Sequence, residues 1–357
     1  MSSSISSSDT VALWRRFFRI AAGTAALLAT VVYSFVVLVD PFDVLPLSPP
    51  AERVPVASNA RFAFPSLARS AKFDSAIFGT STSRLLRPVM LNPEFDARFA
   101  NLAMNDSTVY EQSRLLSVFA QAHPAAKVVM FGLDIRYCVT GDSFQILTPR
   151  PFPEWMYGSN LWRGYREMFN LYAVQEAGQE FGILIGIKRR NLGLDGYTSF
   201  VPPDSQYDPA RVAEHLRKAG LMIPPGIRQG APASWRYPAL EQLGSDMRQF
   251  ADGTRKILFF VPYNHTILPP AGSPGAQAWV ECKRRAAQLA AQVPNSLAVD
   301  FMRPSPITSN DDNYWDVLHY RLAIGDQIAR DLAAAARGEA SPDYRVLVAD
   351  EIESAQR

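Results

Sequence analysis

The chain has 357 residues, 48% hydrophobic and 20% charged, a globular balance that excludes a largely disordered or fibrous protein. Thirty-six basic against 34 acidic side chains leave a net charge of +2, too small a basic surplus for nucleic acid as the main partner. Two cysteines, Cys138 and Cys282, exclude a disulfide scaffold or a cysteine-rich zinc module, and four histidines leave little room for a histidine-built metal site.

Residues 1–19 read as a polar leader, serine-rich from Ser2 to Ser8, followed by Arg15, Arg16 and Arg19. Ile20 to Val39 then runs without a charge. A helix of that length, at ~1.5 Å per residue, spans the ~30 Å hydrocarbon core of a bilayer. Asp40-Pro41 ends it, because proline disfavours helix in the residue before it. The arginines precede the span, so the positive-inside rule places that end in the cytoplasm and the body outside, in the periplasm of a two-membrane bacterium. A cleaved signal peptide is the alternative, but the apolar run is longer than an h-region of about 7–15 residues, and no A-x-A site follows. Residues 40–70, rich in proline and alanine, read as an extended spacer.

Short apolar runs follow, alternating with helical patterns. Phe73–Phe78, Phe99–Met104, Lys127–Leu133, Lys256–Pro262 and Ser296–Phe301 are the expected strands. Tyr110–Ala122, Tyr237–Ala251, Gln277–Gln292 and Tyr320–Arg337 are the expected helices. Near-continuous apolar strands alternating with helices predict an α/β domain over 71–340, with a central parallel sheet of about five strands covered on both faces. Residues 141–235, with many aromatics and prolines, break the rhythm and read as an insertion or cap. Residues 341–357 are a tail without an assigned role. A bridge between Cys138 and Cys282 is compatible with an oxidising compartment but not required by the sequence.

In such a sheet, chemistry gathers at the carboxyl ends of the strands. Gly79-Thr80-Ser81 puts a serine at the first strand-to-helix turn, and Asp316-x-x-His319 stands before the last helix. A serine hydroxyl becomes a nucleophile when an imidazole takes its proton, and the imidazole needs an acceptor to fix its tautomer. Ser81, Asp316 and His319 are therefore the candidate catalytic residues, while Thr82, Asn105, Arg84 and His265 are candidates for oxyanion or substrate binding. His265 also stands where a rival base would. The other reading makes Ser81, Thr82 and Ser83 an N-cap cluster and Asp316 a cap for the last helix. Phe152, Trp155, Tyr157 and Trp162 suit either a sugar- or lipid-binding cleft or packing of the insertion. No P-loop, dinucleotide fingerprint or ligand-spaced His/Cys set is present, so no metal or cofactor is expected.

With G-T-S after the first strand, N-L-A-M-N after the second and D-x-x-H near the end, the chain resembles the SGNH/GDSL hydrolase superfamily. The resemblance is to its membrane-anchored bacterial branch, which includes proteins similar to the alginate O-acetylation factors and the teichoic acid D-alanyl transfer protein. It covers about residues 70–340 without the insertion. It implies a three-layer, flavodoxin-like domain in which Ser81 is the nucleophile, His319 the base and Asp316 its orienting partner. It further implies an esterase or O-acyltransferase acting on an acyl ester of an envelope glycan or lipid, with a membrane acyltransferase as a candidate partner. An inactive binding or assembly protein of the same fold is the rival. The chain departs from the family at two oxyanion positions. Ala103 and Asn105 stand in place of the glycine of the second motif, and Gly132-Leu133-Asp134 carries an aspartate where asparagine would stand. An ionised aspartate cannot donate to an oxyanion, so Asn105 is the substitute donor and Asp134 a structural acceptor.

Overall fold

A computed structural model describes residues 7–53, 59–190, 192–227 and 234–348. The start of the leader (1–6), part of the expected spacer (54–58), residues 191 and 228–233 of the expected insertion, and the end of the tail (349–357) lie outside the described residues. The chain divides into two compact units, Met1–Ala57 with Ser159–Arg190, and Ser58–Gly158 with Asn191–Arg357.

The first unit is helical. Helix α1 (Ser7–Val39) is long and apolar enough over Thr10–Val39 to cross a membrane, with mean hydropathy 2.1 over its most apolar 18 residues. The helix stops where proline requires it to stop. Asp40 turns into the left-handed region (φ 45°), and its carboxylate accepts the backbone N–H groups of Val44 and Leu45 at 3.3 and 2.9 Å. Aspartate tolerates that conformation better than most residues, and here its side chain occupies donors that the turn would otherwise bury unpaired.

In the second unit a six-stranded sheet is built from β1 (Ser75–Phe78), β2 (Phe99–Asn101), β3 (Val128–Leu133), β4 (Arg255–Phe260), β5 (Ser296–Asp300) and β6 (Arg345–Val346), in the order β2-β1-β3-β4-β5-β6. The first five are parallel, with Ile77 beside Met130 and Phe131 beside Leu258, and they bury both faces. That double burial is why their sequences are apolar runs rather than alternating patterns. The sixth strand is antiparallel to β5, pairing Val299 with Val346 and Asp300 with Arg345. It adds an antiparallel edge to the expected parallel sheet of about five strands, and it corrects the expectation of a tail from residue 341. Two residues are too few to leave a periodic signal, and their strand state comes from the partner edge.

The remaining helices, numbered along the chain, are α2 (Ala60–Arg69), α3 (Ser81–Arg84), α4 (Pro88–Phe95), α5 (Val109–Ala122), α6 (Gly164–Glu167), α7 (Leu171–Leu184), α8 (Pro209–Lys218), α9 (Pro238–Met247), α10 (Pro274–Gln292) and α11 (Leu322–Ala336). Helices α6 and α7 belong to the first unit and the others to the second. The stretch 141–235 is thus shared between the two units rather than forming one cap.

Helix α2 stands where an extended spacer was expected. Asn59 caps it by accepting the Arg61 N–H, and Ala63, Phe64, Leu67 and Ala68 are buried. Arg61 is buried as well, with its guanidinium on Glu111 at 2.6 and 3.0 Å. Glu111 closes a capping box with Thr108 at the start of α5. Removing either charge would strand the other in the interior, a cost of roughly 3–5 kcal/mol.

Helix α5 runs into β3, which Asp134 follows. A disulfide joins Cys138, in the turn beyond, to Cys282 in α10. The order 2-1-3-4-5 places the topological switch between β1 and β3, and their carboxyl ends carry Gly79 and Asp134.

Candidate active site

The serine arrives on a turn that only particular residues can make. After β1, Gly79 takes φ +146°, a region side chains avoid, and its carbonyl accepts the Met104 N–H at 3.0 Å and the Ser107 hydroxyl at 3.3 Å. A Cβ on Gly79 would lie 2.3 Å from the Ser83 hydroxyl oxygen, and one on Gly132 of β3 only 1.8 Å from it. The two glycines therefore make the space into which Ser83 packs, fully buried, two residues after Ser81. Thr80 is tied down in turn, its hydroxyl donating to Asp134 at 2.6 Å. The other Asp134 oxygen accepts the Arg136 N–H at 2.9 Å. Burial holds the Asp134 carboxyl above its usual range, against the pull of Thr80 and of the Arg136 N–H. This is the structural acceptor expected of Asp134.

The histidine arrives on a turn held by polar bonds. Residues 311–321 lie across the end of β4, where the Asn264 N–H donates to the Val317 carbonyl at 3.0 Å and the Tyr314 hydroxyl to the Pro262 carbonyl at 3.2 Å. Tyr314 and Tyr320 form an antiparallel bridge, with the Trp315 N–H on the His319 carbonyl at 2.8 Å. Tyr320, fully buried, donates its hydroxyl to the Thr82 carbonyl at 2.6 Å, joining this turn to the serine's.

The two turns bring Ser81, His319 and Asp316 together. His319 Nε2 is 2.8 Å from Ser81 Oγ, and His319 Nδ1 is 2.7 Å from Asp316 Oδ2. The second Asp316 oxygen accepts the backbone N–H groups of Leu318 and His319, both at 2.8 Å. Burial raises the Asp316 carboxyl. The His319 ring, its charge and the two N–H groups outweigh that and hold the group below the usual carboxylate range. A carboxylate there fixes Nδ1 as the protonated nitrogen and leaves Nε2 free to accept the serine proton.

The other candidates are placed less uniformly. Thr82 is buried, with its carbonyl on Tyr320. The Arg84 guanidinium lies 5.9 Å from the centre of the Phe64 ring, and burial pushes its pKa down to about 10. Its Nε has no hydrogen-bond partner among the described residues. Asn105 offers its carbonyl to Arg61 and Arg150 at 3.4 and 3.2 Å, and its Oδ1 is buried without a partner among the described residues. His265 directs Nδ1 to the Thr308 carbonyl at 3.1 Å and makes no described hydrogen bond to the Ser81–His319 pair. Phe152 stacks on Tyr157 at 4.3 Å, and Tyr157 is buried with its hydroxyl on the Arg61 carbonyl, so these two pack the fold.

Phe200 was not foreseen. Its ring meets His319 edge-on, with 5.2 Å between centres. The segment that carries it is anchored on β2. The Asn101 N–H donates to the Asp195 carbonyl at 2.8 Å, and Gly196 (φ +80°) approaches so closely that a Cβ would lie 2.5 Å from the Asn101 carbonyl oxygen. The glycine was the one local signal of that approach. Arg136 also pairs with Asp106 beyond the ends of β3 and β2. Among the described residues, no group of three or more His, Cys, Asp or Glu could hold a metal ion. No protein-family model matches the chain, and no curated protein matches it.

Proposed function

We propose that this chain is a membrane-anchored serine esterase or O-acyltransferase of the SGNH type, working outside the cytoplasm on an acyl ester of an envelope polysaccharide or lipid. The observation that carries this reading is the relay Ser81–His319–Asp316, in which a 2.8 Å contact joins Ser81 and His319 across 238 positions and a 2.7 Å contact joins His319 to Asp316. Capping needs of two separate helices do not require such convergence. The strand order 2-1-3-4-5 suits a flavodoxin-like domain, and the Cys138–Cys282 bridge and apolar α1 suit an anchored protein in an oxidising compartment.

In this reading His319 Nε2 takes the Ser81 proton as Oγ attacks the ester carbonyl. The tetrahedral intermediate collapses, the C–O bond to the alcohol breaks, and His319 protonates the departing alkoxide. Water or a sugar hydroxyl, deprotonated by His319, then attacks the acyl-serine and releases the acid or the new ester. Asp316 stays ionised and balances the imidazolium. The Ser81 N–H and the Asn105 side chain are the proposed oxyanion donors, because Asp134 is engaged with Thr80 and cannot donate when ionised. That same engagement favours the second reading, a catalytically inactive binding or assembly partner of an acyl-transfer system.

A fluorophosphonate probe separates the two. The full chain should be labelled at Ser81 and should turn over an activated aryl ester. Ser81→Ala should abolish labelling and cut kcat by on the order of 10³–10⁶ with unchanged thermal stability. Absence of labelling in well-folded protein would leave only the binding role.

A further inference from the structure

The first unit carries an apolar surface that the esterase reading does not use. Helix α7 and the segment before it lie against the second half of α1: Phe169 meets Tyr33 at 5.6 Å between ring centres, Phe181 meets Phe35 at 5.5 Å, and Tyr172 stacks on Phe42 at 6.0 Å. The Tyr33 hydroxyl donates to the Tyr165 carbonyl at 2.5 Å. One face of α7 is thereby used, with Ala173 and Ala177 buried. Several apolar side chains on the helix and beside its ends are nevertheless open. Leu171 is 87% exposed, Phe169 68% and Ile187 78%, and Phe181, Leu184 and Ile185 are also exposed. Lys188, Arg189 and Arg190 follow directly, all exposed. Open apolar side chains followed directly by a run of cations suit a segment at a membrane interface.

Between α1 and the start of α7 runs a groove of about 390 Å³, walled by Leu28, Val32 and Val36 on one side and by Met168, Leu171 and Val174 on the other. Leu28 lies 11 residues before the end of α1 at Val39, or about 16 Å along the axis at 1.5 Å per residue. Even if the outer edge of the hydrocarbon is set as low as Tyr33, Leu28 is about 7 Å inside it. The groove and the Met168–Val174 segment therefore reach a depth where the surrounding solvent is lipid.

We propose that residues 161–187 form a second, monotopic membrane contact: the open apolar side chains at the two ends of α7 enter the leaflet on the side where α1 ends, and the groove is filled by the acyl chains of that leaflet. The inference rests on the membrane-spanning role of α1 and not on the chemistry of Ser81. An area of this kind left in water would be a large apolar patch for a soluble surface. The continuity of the groove with the apolar run of α1 selects lipid as its occupant.

The test uses the full chain, whose two cysteines are bonded to each other, so that an introduced thiol is unique. Leu171→Cys, Phe181→Cys and Leu27→Cys, with Lys218→Cys as the water reference, are labelled with a nitroxide. The labelled proteins are reconstituted into phosphatidylethanolamine–phosphatidylglycerol vesicles. All four side chains are exposed, but Phe181 touches Phe35 and Lys218 pairs with Glu214, so an unchanged thermal midpoint is required of each labelled chain. At positions 171 and 181 the collision rate with oxygen should exceed that with a water-soluble nickel chelate several-fold, as at Leu27, and the ratio should invert at Lys218. Nickel access at 171 and 181, with Leu27 still in lipid, overturns the proposal and leaves the anchor intact. Low access to both reagents at 171 and 181 overturns it in favour of a second copy or another membrane protein on this face. Nickel access at Leu27 removes the anchor itself.

Discussion

The turns that carry Ser81 and His319 meet across 2.8 Å, yet they are held by different forces. The serine turn is a packing problem. Gly79 and Gly132 are glycines because the buried Ser83 hydroxyl occupies the space a Cβ would need, and Asp134 clamps the Thr80 hydroxyl from below. The histidine turn is a hydrogen-bonding problem. It lies over the end of β4 on bonds from Asn264 and Tyr314, and Tyr320 ties it to the Thr82 carbonyl. A steric fit fails abruptly when an atom is added, whereas a set of polar bonds weakens by one bond at a time. Ser81 is therefore fixed by the same packing that stabilises the fold, and His319 can be displaced while the fold survives.

Of the effects within the two turns, the largest on stability should come from the bridge on the serine side. Cys138 follows the strand end that carries Asp134, and its bond to Cys282 closes a loop with 144 residues of separation. Replacing both cysteines with serine should cost roughly 2–5 kcal/mol in urea unfolding. Equal stability of the paired-serine variant and the bonded protein would show that the strand end is held without it. Next is Gly132→Ala. Its Cβ would sit 1.8 Å from Ser83 Oγ and 3.1 Å from the Phe259 ring, so the core must move, at a cost of about 1–3 kcal/mol or more. Ser83→Gly in the same chain should recover much of that loss, a coupling that a double-mutant cycle reads directly. Additive losses would mean that the clash with Ser83 is not the cause.

How much of this was legible beforehand follows the same division. The five parallel strands and the helices α5, α9, α10 and α11 were marked by apolar runs and by 3.6-residue patterns, and their ends moved by only a few residues. The Gly-Thr-Ser turn and the Asp-x-x-His spacing are local, and each displays its chemistry in its own sequence. What was not legible depends on a partner distant in the chain. Two residues, Arg345 and Val346, become β6 only because β5 offers an edge. Helix α2 was hidden by Pro65 and its alanines, and its identity comes from the buried Arg61–Glu111 pair, 50 positions apart. Phe200 reaches His319 only because Gly196 permits a close approach to Asn101.

The histidine turn should show the milder effects. Tyr320→Phe removes one hydroxyl, and the Thr82 carbonyl keeps a weak bond from the Leu85 N–H at 3.4 Å. The expected stability loss is about 0.5–1.5 kcal/mol. Because Tyr320 positions the histidine and does not touch substrate, turnover of an aryl ester should fall through kcat, by up to about tenfold, with KM unchanged. A change in KM alone would place Tyr320 in substrate binding and would break the division between the two turns.

The finest distinction is the sign of a pH effect. Asp134, on the serine side, has its carboxyl raised above 3.8 by burial. The folded protein then binds this proton more tightly than the unfolded chain, so its contribution to stability falls as pH rises above about 3.8 and levels off past the folded value. Asp316, on the histidine side, is lowered below 3.8, because the His319 ring and two backbone N–H groups outweigh burial. Its contribution is complete above about 3.8 and is lost as pH falls through the lower folded value. Urea midpoints of Asp134→Asn and Asp316→Asn, each compared with the parent chain across acid pH, should therefore drift in opposite directions. The Asp316 drift should be the smaller, since its side chain is 40% exposed and solvent screens its partners. Parallel drifts would mean that burial dominates at both carboxylates, and the histidine turn would then be held by packing as the serine turn is.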